Sequence, residues 1–131
     1  MDDAMGDMVI RRLTAESART AQLRLAVLLQ DAVHNGASVG YLAPLSDADA
    51  LAYWDATMPT LATPQRLLLV AEVDGEIAGT VQLVLETRPN GNHRAEVSKL
   101  LVHTAYRRRG IARALMQHIE AEARAAGRTL L

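Results

Sequence analysis

Six consecutive residues, Arg107-Arg108-Arg109-Gly110-Ile111-Ala112, put three guanidinium groups, a glycine and a small side chain at one point of the chain. That set suits a phosphate or pyrophosphate. A strand that feeds a helix through such a turn aims unpaired backbone N–H groups at one spot, where the helix dipole adds positive potential. Gly110 lets a ligand approach the backbone, Ala112 is too small to block it, and the arginines add charge-assisted hydrogen bonds. A solvated basic helix start would carry the same letters. Against that reading, arginines at a helix N-terminus oppose the dipole, and the turn directly follows an apolar strand. It is not a Walker loop, since no Gly-Lys-Ser/Thr follows, nor a dinucleotide fingerprint, which needs more glycines than this turn has.

Glu96 opens the run Glu96-Val-Ser-Lys-Leu-Leu-Val102 that leads into this turn. A carboxylate there is either an exposed group paired with Arg94 or Lys99, or a base; from the residues alone the pairing is favoured. Strict alternation sets Val97, Lys99 and Leu101 on one face of the strand, with Glu96, Ser98, Leu100 and Val102 on the other. Apolar residues at all of 100–102 break the alternation, as a bulge would, although a strand buried on both faces gives the same letters.

These residues must be positioned by one domain of 131 residues, long enough for a real core. Its formal net charge of -1 and its one lysine argue against a nucleic-acid partner, so the arginine cluster is a local feature. Cysteine is absent, which removes disulfides, thiolate metal sites and cysteine nucleophiles and fits a cytoplasmic protein. His34, His93, His103 and His118 show no metal-ligand spacing, so no metal is expected. No apolar run is long enough to span a bilayer. The acidic start is expected to be a disordered tail over residues 1–8.

Val9–Leu13 reads as a first strand, and Thr14 as the cap of a helix running to about His34, ended by Asn35-Gly36. Ser46-x-x-Asp49 resembles a capping box for a second helix expected to stop before Pro59. Arg66–Val73 and Glu76–Glu86 are strands joined by the hairpin turn Asp74-Gly75, and Thr87–Asn92 is a loop. Glu96–Val102 is the fourth strand, and Gly110–Ala126 an amphipathic helix closed by Gly127. Arg128–Leu131 begins a fifth strand. The predicted order is β-α-α-β-β-β-α-β.

The hexapeptide resembles the acetyl-CoA signature of the GNAT N-acetyltransferase superfamily, Arg/Gln-x-x-Gly-x-Gly/Ala. Residues 33–42, 88–97 and 99–102 resemble segments of its tabtoxin-resistance type, and the likeness runs from about Ile10 to Leu131. It implies an α/β (α+β) fold with a mixed, mostly antiparallel sheet flanked by helices. By comparison the chain should be truncated before a last helix and two strands, on the order of 40 residues. The implied activity is transfer of an acetyl group from acetyl-CoA to a primary amine of a small molecule (antibiotic, toxin or amino-acid-like), by direct attack in a ternary complex. Glu96 takes the position of the family's general base, with a pKa expected to rise through shielding by the sheet. Leu100, Leu101, Val102 and His103 correspond to the strand that pairs with pantetheine, and Arg107, Arg108, Arg109, Gly110, Ile111 and Ala112 to the pyrophosphate turn. Ser38, Tyr41 and Trp54 fall on the acceptor side, although Tyr41 and Trp54 equally suit a core that has no phenylalanine, and Ser38 its own turn. The alternative is an inactive, truncated fragment that only binds CoA or self-associates, and a homo-oligomer stays open.

Overall fold

The computed structural model describes residues 8–36, 41, 43–86 and 93–130. The expected tail over residues 1–7, Ser38 and the loop at 87–92 lie outside the described residues; Met8 is already in a strand. The elements are β1 (Met8–Leu13), α1 (Ala15–Thr20), α2 (Gln22–His34), α3 (Asp47–Leu61), β2 (Arg66–Val73), β3 (Glu76–Leu85), β4 (Arg94–Val102), α4 (Ile111–Ala125) and β5 (Thr129–Leu130). A 3₁₀ turn at Thr104–Tyr106 separates β4 from the arginines.

The strands lie in chain order β1-β2-β3-β4-β5. The first four pair antiparallel, and β5 returns through α4 to pair parallel with β4. This is the mixed, mostly antiparallel sheet that was expected. Both faces are covered. Leu68, Val70 and Leu101 face a core built on α1, α2 and α3, while Leu69, Ala71, Leu83 and Ala95 face Ile111, Leu115, Ile119 and Ala123 of α4. Burial on both sides explains why Leu67–Ala71 of β2 reads as an unbroken apolar run. Asp74 (φ 52°) and Gly75 (φ 83°) turn the β2–β3 hairpin, as their types demand.

Three local expectations change. The first helix is broken at Ala21, so Thr14 caps α1 alone and α2 starts afresh. Ala18 before the break and Leu25 after it both reach the same core. The helix α3 continues through Pro59 to Leu61. A proline so near the C-terminus forgoes one intrahelical bond, and the extra turn buries Leu61 against the core.

The third change is in β4. Thr80 pairs with Leu101 and Gln82 with Ser98, so two residues of β4 stand opposite Val81 alone. Lys99, with φ 54°, is in this bulge. Its consequence is a reversal of faces. Val97 and Leu101 were expected on one side, yet Val97 packs toward α4 and Leu101 into the opposite core; Val102, expected beside Glu96 and Ser98, turns toward α4.

Candidate active site

The arginine turn is built by backbone geometry that few residues accept. Arg108 (φ 66°) and Gly110 (φ 77°) are both left-handed, and Gly110 is the N-cap of α4 without any side-chain capping bond. The first intrahelical bond is Ala114 N–H to the Gly110 carbonyl, at 3.0 Å. The N–H groups of the preceding turn therefore stand free, as at any uncapped helix start. A Cβ placed on Gly110 would meet nothing within 4 Å, so the space in front of the turn is open. Arg107 and Arg108 are exposed, and Arg109 is half-buried against the Tyr106 ring.

The turn is anchored on α2. Asp31 accepts the Thr104 N–H at 2.9 Å and the Thr104 hydroxyl at 2.8 Å, and its carboxylate lies 3.7 Å from His103 Nε2. His103 Nδ1 accepts the Ala105 N–H at 3.1 Å, so its imidazole caps the 3₁₀ turn. Nothing in the spacing of Asp31 announces this role, because its partners are far along the chain.

β5 pairs with β4 only at Arg94 and Ala95, so from Glu96 onward no described strand lies beside it on that edge. The backbone of Leu100, Leu101, Val102 and His103 leads from β4 into the turn, which brings the two expected cofactor segments together. Arg128 clamps the closed end, donating to the Glu86 carbonyl at 2.9 Å and the Arg94 carbonyl at 3.0 Å.

Glu96 is on the same strand, facing the α1–α3 side. Its expected shielding is not found: the residue is exposed, and among the described residues its carboxylate makes no hydrogen bond or ion pair. The pairing with Arg94 or Lys99 favoured by the bare sequence is not formed either. Lys99 instead sets its ammonium 5.3 Å from the centroid of the Tyr53 ring.

Tyr53 corrects the reading of Trp54. Trp54 is fully buried in the α1–α3 core, out of a ligand's reach, and packs edge-on to Tyr53 at 5.0 Å. Tyr53 faces the bulge in its place, with Tyr41 edge-on at 6.3 Å. Burial, with Tyr53 and Asp49 nearby, holds the Tyr41 phenol above its ordinary value. The Tyr53 hydroxyl accepts from Gln82 Nε2 at 2.9 Å, and Gln82 Oε1 accepts from Arg66 Nη1. Gln82, buried in β3, thus ties α3 to β2. The sequence reading missed both Tyr53 and Arg66; an arginine opening an apolar strand was the available signal for the second.

A helix start whose first-turn N–H groups lack intrahelical partners, flanked by guanidiniums and following a strand of a mixed sheet, is an arrangement suited to a phosphorylated ligand. Residues 31–131 match the model of the Acetyltransferase (GNAT) family. An uncharacterized N-acetyltransferase from the hisH-hisA intergenic region of Azospirillum brasilense is 35% identical over 126 residues, covering 94% of this chain and 72% of that protein. The chain belongs to the GNAT acetyltransferase family. Its fold is also that of an N-acetyltransferase from Staphylococcus aureus Mu50 (TM-score 0.73, 24% identity, 95% of this chain and 72% of that one). It is shared by yncA from Salmonella typhimurium, whose structure holds acetyl-CoA (TM-score 0.67, 21% identity, 94% of this chain and 66% of that one).

Proposed function

We propose that this chain transfers the acetyl group of acetyl-CoA to a primary amine of a small molecule, by direct attack while both are bound. One observation carries the reading: β4 leads through one 3₁₀ turn into the uncapped helix start at Gly110, and Glu96 lies on that same strand. Acetyl-CoA supplies an activated acyl group and a thiol that can leave. Its features fit the residues present. The first-turn N–H groups of α4 with Arg107, Arg108 and Arg109 would hold the pyrophosphate. The backbone from Leu100 to His103 would pair with the pantetheine amides as an added strand does.

The carboxylate of Glu96, with no partner among the described residues, accepts the proton that the amine must lose before it attacks. Tyr53 and Tyr41 form an aromatic wall on the acceptor side, and Lys99 is held against it. Leu101, turned into the core by the bulge, fixes the strand against sliding.

Thiol release from acetyl-CoA, followed with a panel of primary amines, tests the reading. Amine-dependent release is expected. Glu96→Gln should lower kcat at neutral pH by about a hundredfold or more while the KM for acetyl-CoA stays nearly constant, since only proton transfer is removed. Failure of acetyl-CoA to bind, together with no release for any amine, would overturn the assignment. Unchanged turnover of the variant across pH would remove Glu96 from the chemistry.

A further inference from the structure

Arg66, Val84 and Glu96 stand in one row across three strands, Arg66 opposite Val84 and Val84 opposite Glu96. Residues directly opposite in a sheet share a face, and two strand spacings separate the ends of the row by about 10 Å. Arg66 and Glu96 also line the same cavity, of about 230 Å³, between the end of α3 and the closed end of β4. A cation and a carboxylate thus line one half-open cleft from its two sides.

Arg66 is held for a task. One guanidinium nitrogen donates to Gln82, which is itself fixed by the Tyr53 hydroxyl. Its Nε–H is buried and has no acceptor among the described residues. A buried donor left unpaired carries a desolvation cost, and a guanidinium is the side chain best matched to a carboxylate. Arg94 and Glu86 also line the cavity, so its rim carries both signs of charge. Its volume is below the roughly 300–1,000 Å³ of pockets for drug-sized ligands.

Resting on the acetyltransferase reading above, we propose that the acceptor amine carries a carboxylate, as a small α-amino acid does, and that Arg66 selects it. The amine lies toward Glu96 and the carboxylate toward the guanidinium of Arg66. The acetylated product keeps the carboxylate and loses the cationic charge of the amine.

The test compares amino acids with their primary amides (alanine, leucine, methionine and glutamine) in thiol release from acetyl-CoA. At least one acid should exceed its amide in kcat/KM by about tenfold or more, because a site built to bond a polar group rejects the analogue lacking it. Arg66→Met should bring that ratio close to one, and Arg66→Lys, which keeps a donor for Gln82, should lower it severalfold. Acetyl-CoA affinity, measured by calorimetry on each variant, reports that the fold survives. Calorimetry of the N-acetylated acids and their amides, with CoA present, reads the same preference without turnover. No preference for the acid in either assay, or a preference that Arg66→Met retains, overturns the proposal. Loss of acetyl-CoA binding by the parent chain would strike the acetyltransferase reading, while a carboxylate preference in calorimetry would still support Arg66.

Discussion

The guanidinium carbon of Arg109 lies 5.4 Å from the centroid of the Tyr106 ring, and the Tyr106 hydroxyl donates to Glu76 Oε1 at 2.8 Å. Glu76 is approached in turn by Arg24 of α2 at 3.5 Å. One of the three arginines is thereby aimed by packing, while its two neighbours are exposed.

From this contact, Tyr106→Leu should weaken acetyl-CoA binding by about two- to fivefold, the value of an exposed cation–π contact. Tyr106→Phe should retain most of the affinity. Titration calorimetry of both variants separates the ring from the hydroxyl.

The same hydroxyl gives a pH dependence. The Glu76 carboxylate that accepts its proton holds the Tyr106 phenol above its ordinary value, with burial adding to the shift. The folded chain keeps a proton that the unfolded chain releases, so the contribution is whole below about pH 10 and fades as pH rises through the folded-state value. Urea unfolding at stepped alkaline pH should show this loss in the parent and a shallower one in Tyr106→Phe.

Gly110→Ala should cost about 1 kcal/mol of stability, from the left-handed backbone rather than from any clash, since its Cβ meets no neighbour within 4 Å. Acetyl-CoA affinity should fall as well, because the methyl group intrudes on ligand space. Acetyl-CoA affinity equal to that of the parent would place the ligand elsewhere.

Gly79→Ala addresses the packing beneath the turn. Its Cβ would come within 3.0 Å of Ile111 Cγ2 and of the Leu101 carbonyl oxygen, and within 3.2 Å of Leu115 Cδ1. Neither the backbone nor the two core side chains can yield freely, so a loss of about 1–3 kcal/mol is expected in urea unfolding. Because Ile111 opens α4, acetyl-CoA binding should weaken as well.

Trp54→Ala should destabilise the chain by about 3–5 kcal/mol, as loss of a fully buried tryptophan does. Trp54→Phe should keep the acceptor KM near that of the parent. A specific change in acceptor KM with stability intact would restore Trp54 to the acceptor wall.

Local chemistry settled much of this protein within the sequence itself. The Asp74-Gly75 hairpin, the Thr14 and Ser46 caps, the amphipathic α4 and the glycine of the arginine turn each follow from dihedral preference or periodicity over a few residues. The hexapeptide 107–112 and the order of elements were legible for that reason.

Tertiary structure decided whatever depends on a partner far along the chain. The letters of Leu100–Val102 suggested a bulge, but only pairing with Thr80 and Gln82 fixed it at Lys99 and sent Leu101 to the opposite core. Tyr53 and Trp54 are adjacent in sequence, and the roll of α3 over the sheet buried one and turned the other toward Lys99. Arg66 and Glu96 are 30 residues apart, and become members of one row only because β2, β3 and β4 pair in this register. A side chain's type is fixed by the sequence, but its face and its neighbour are fixed by register and packing, which many distant residues set together.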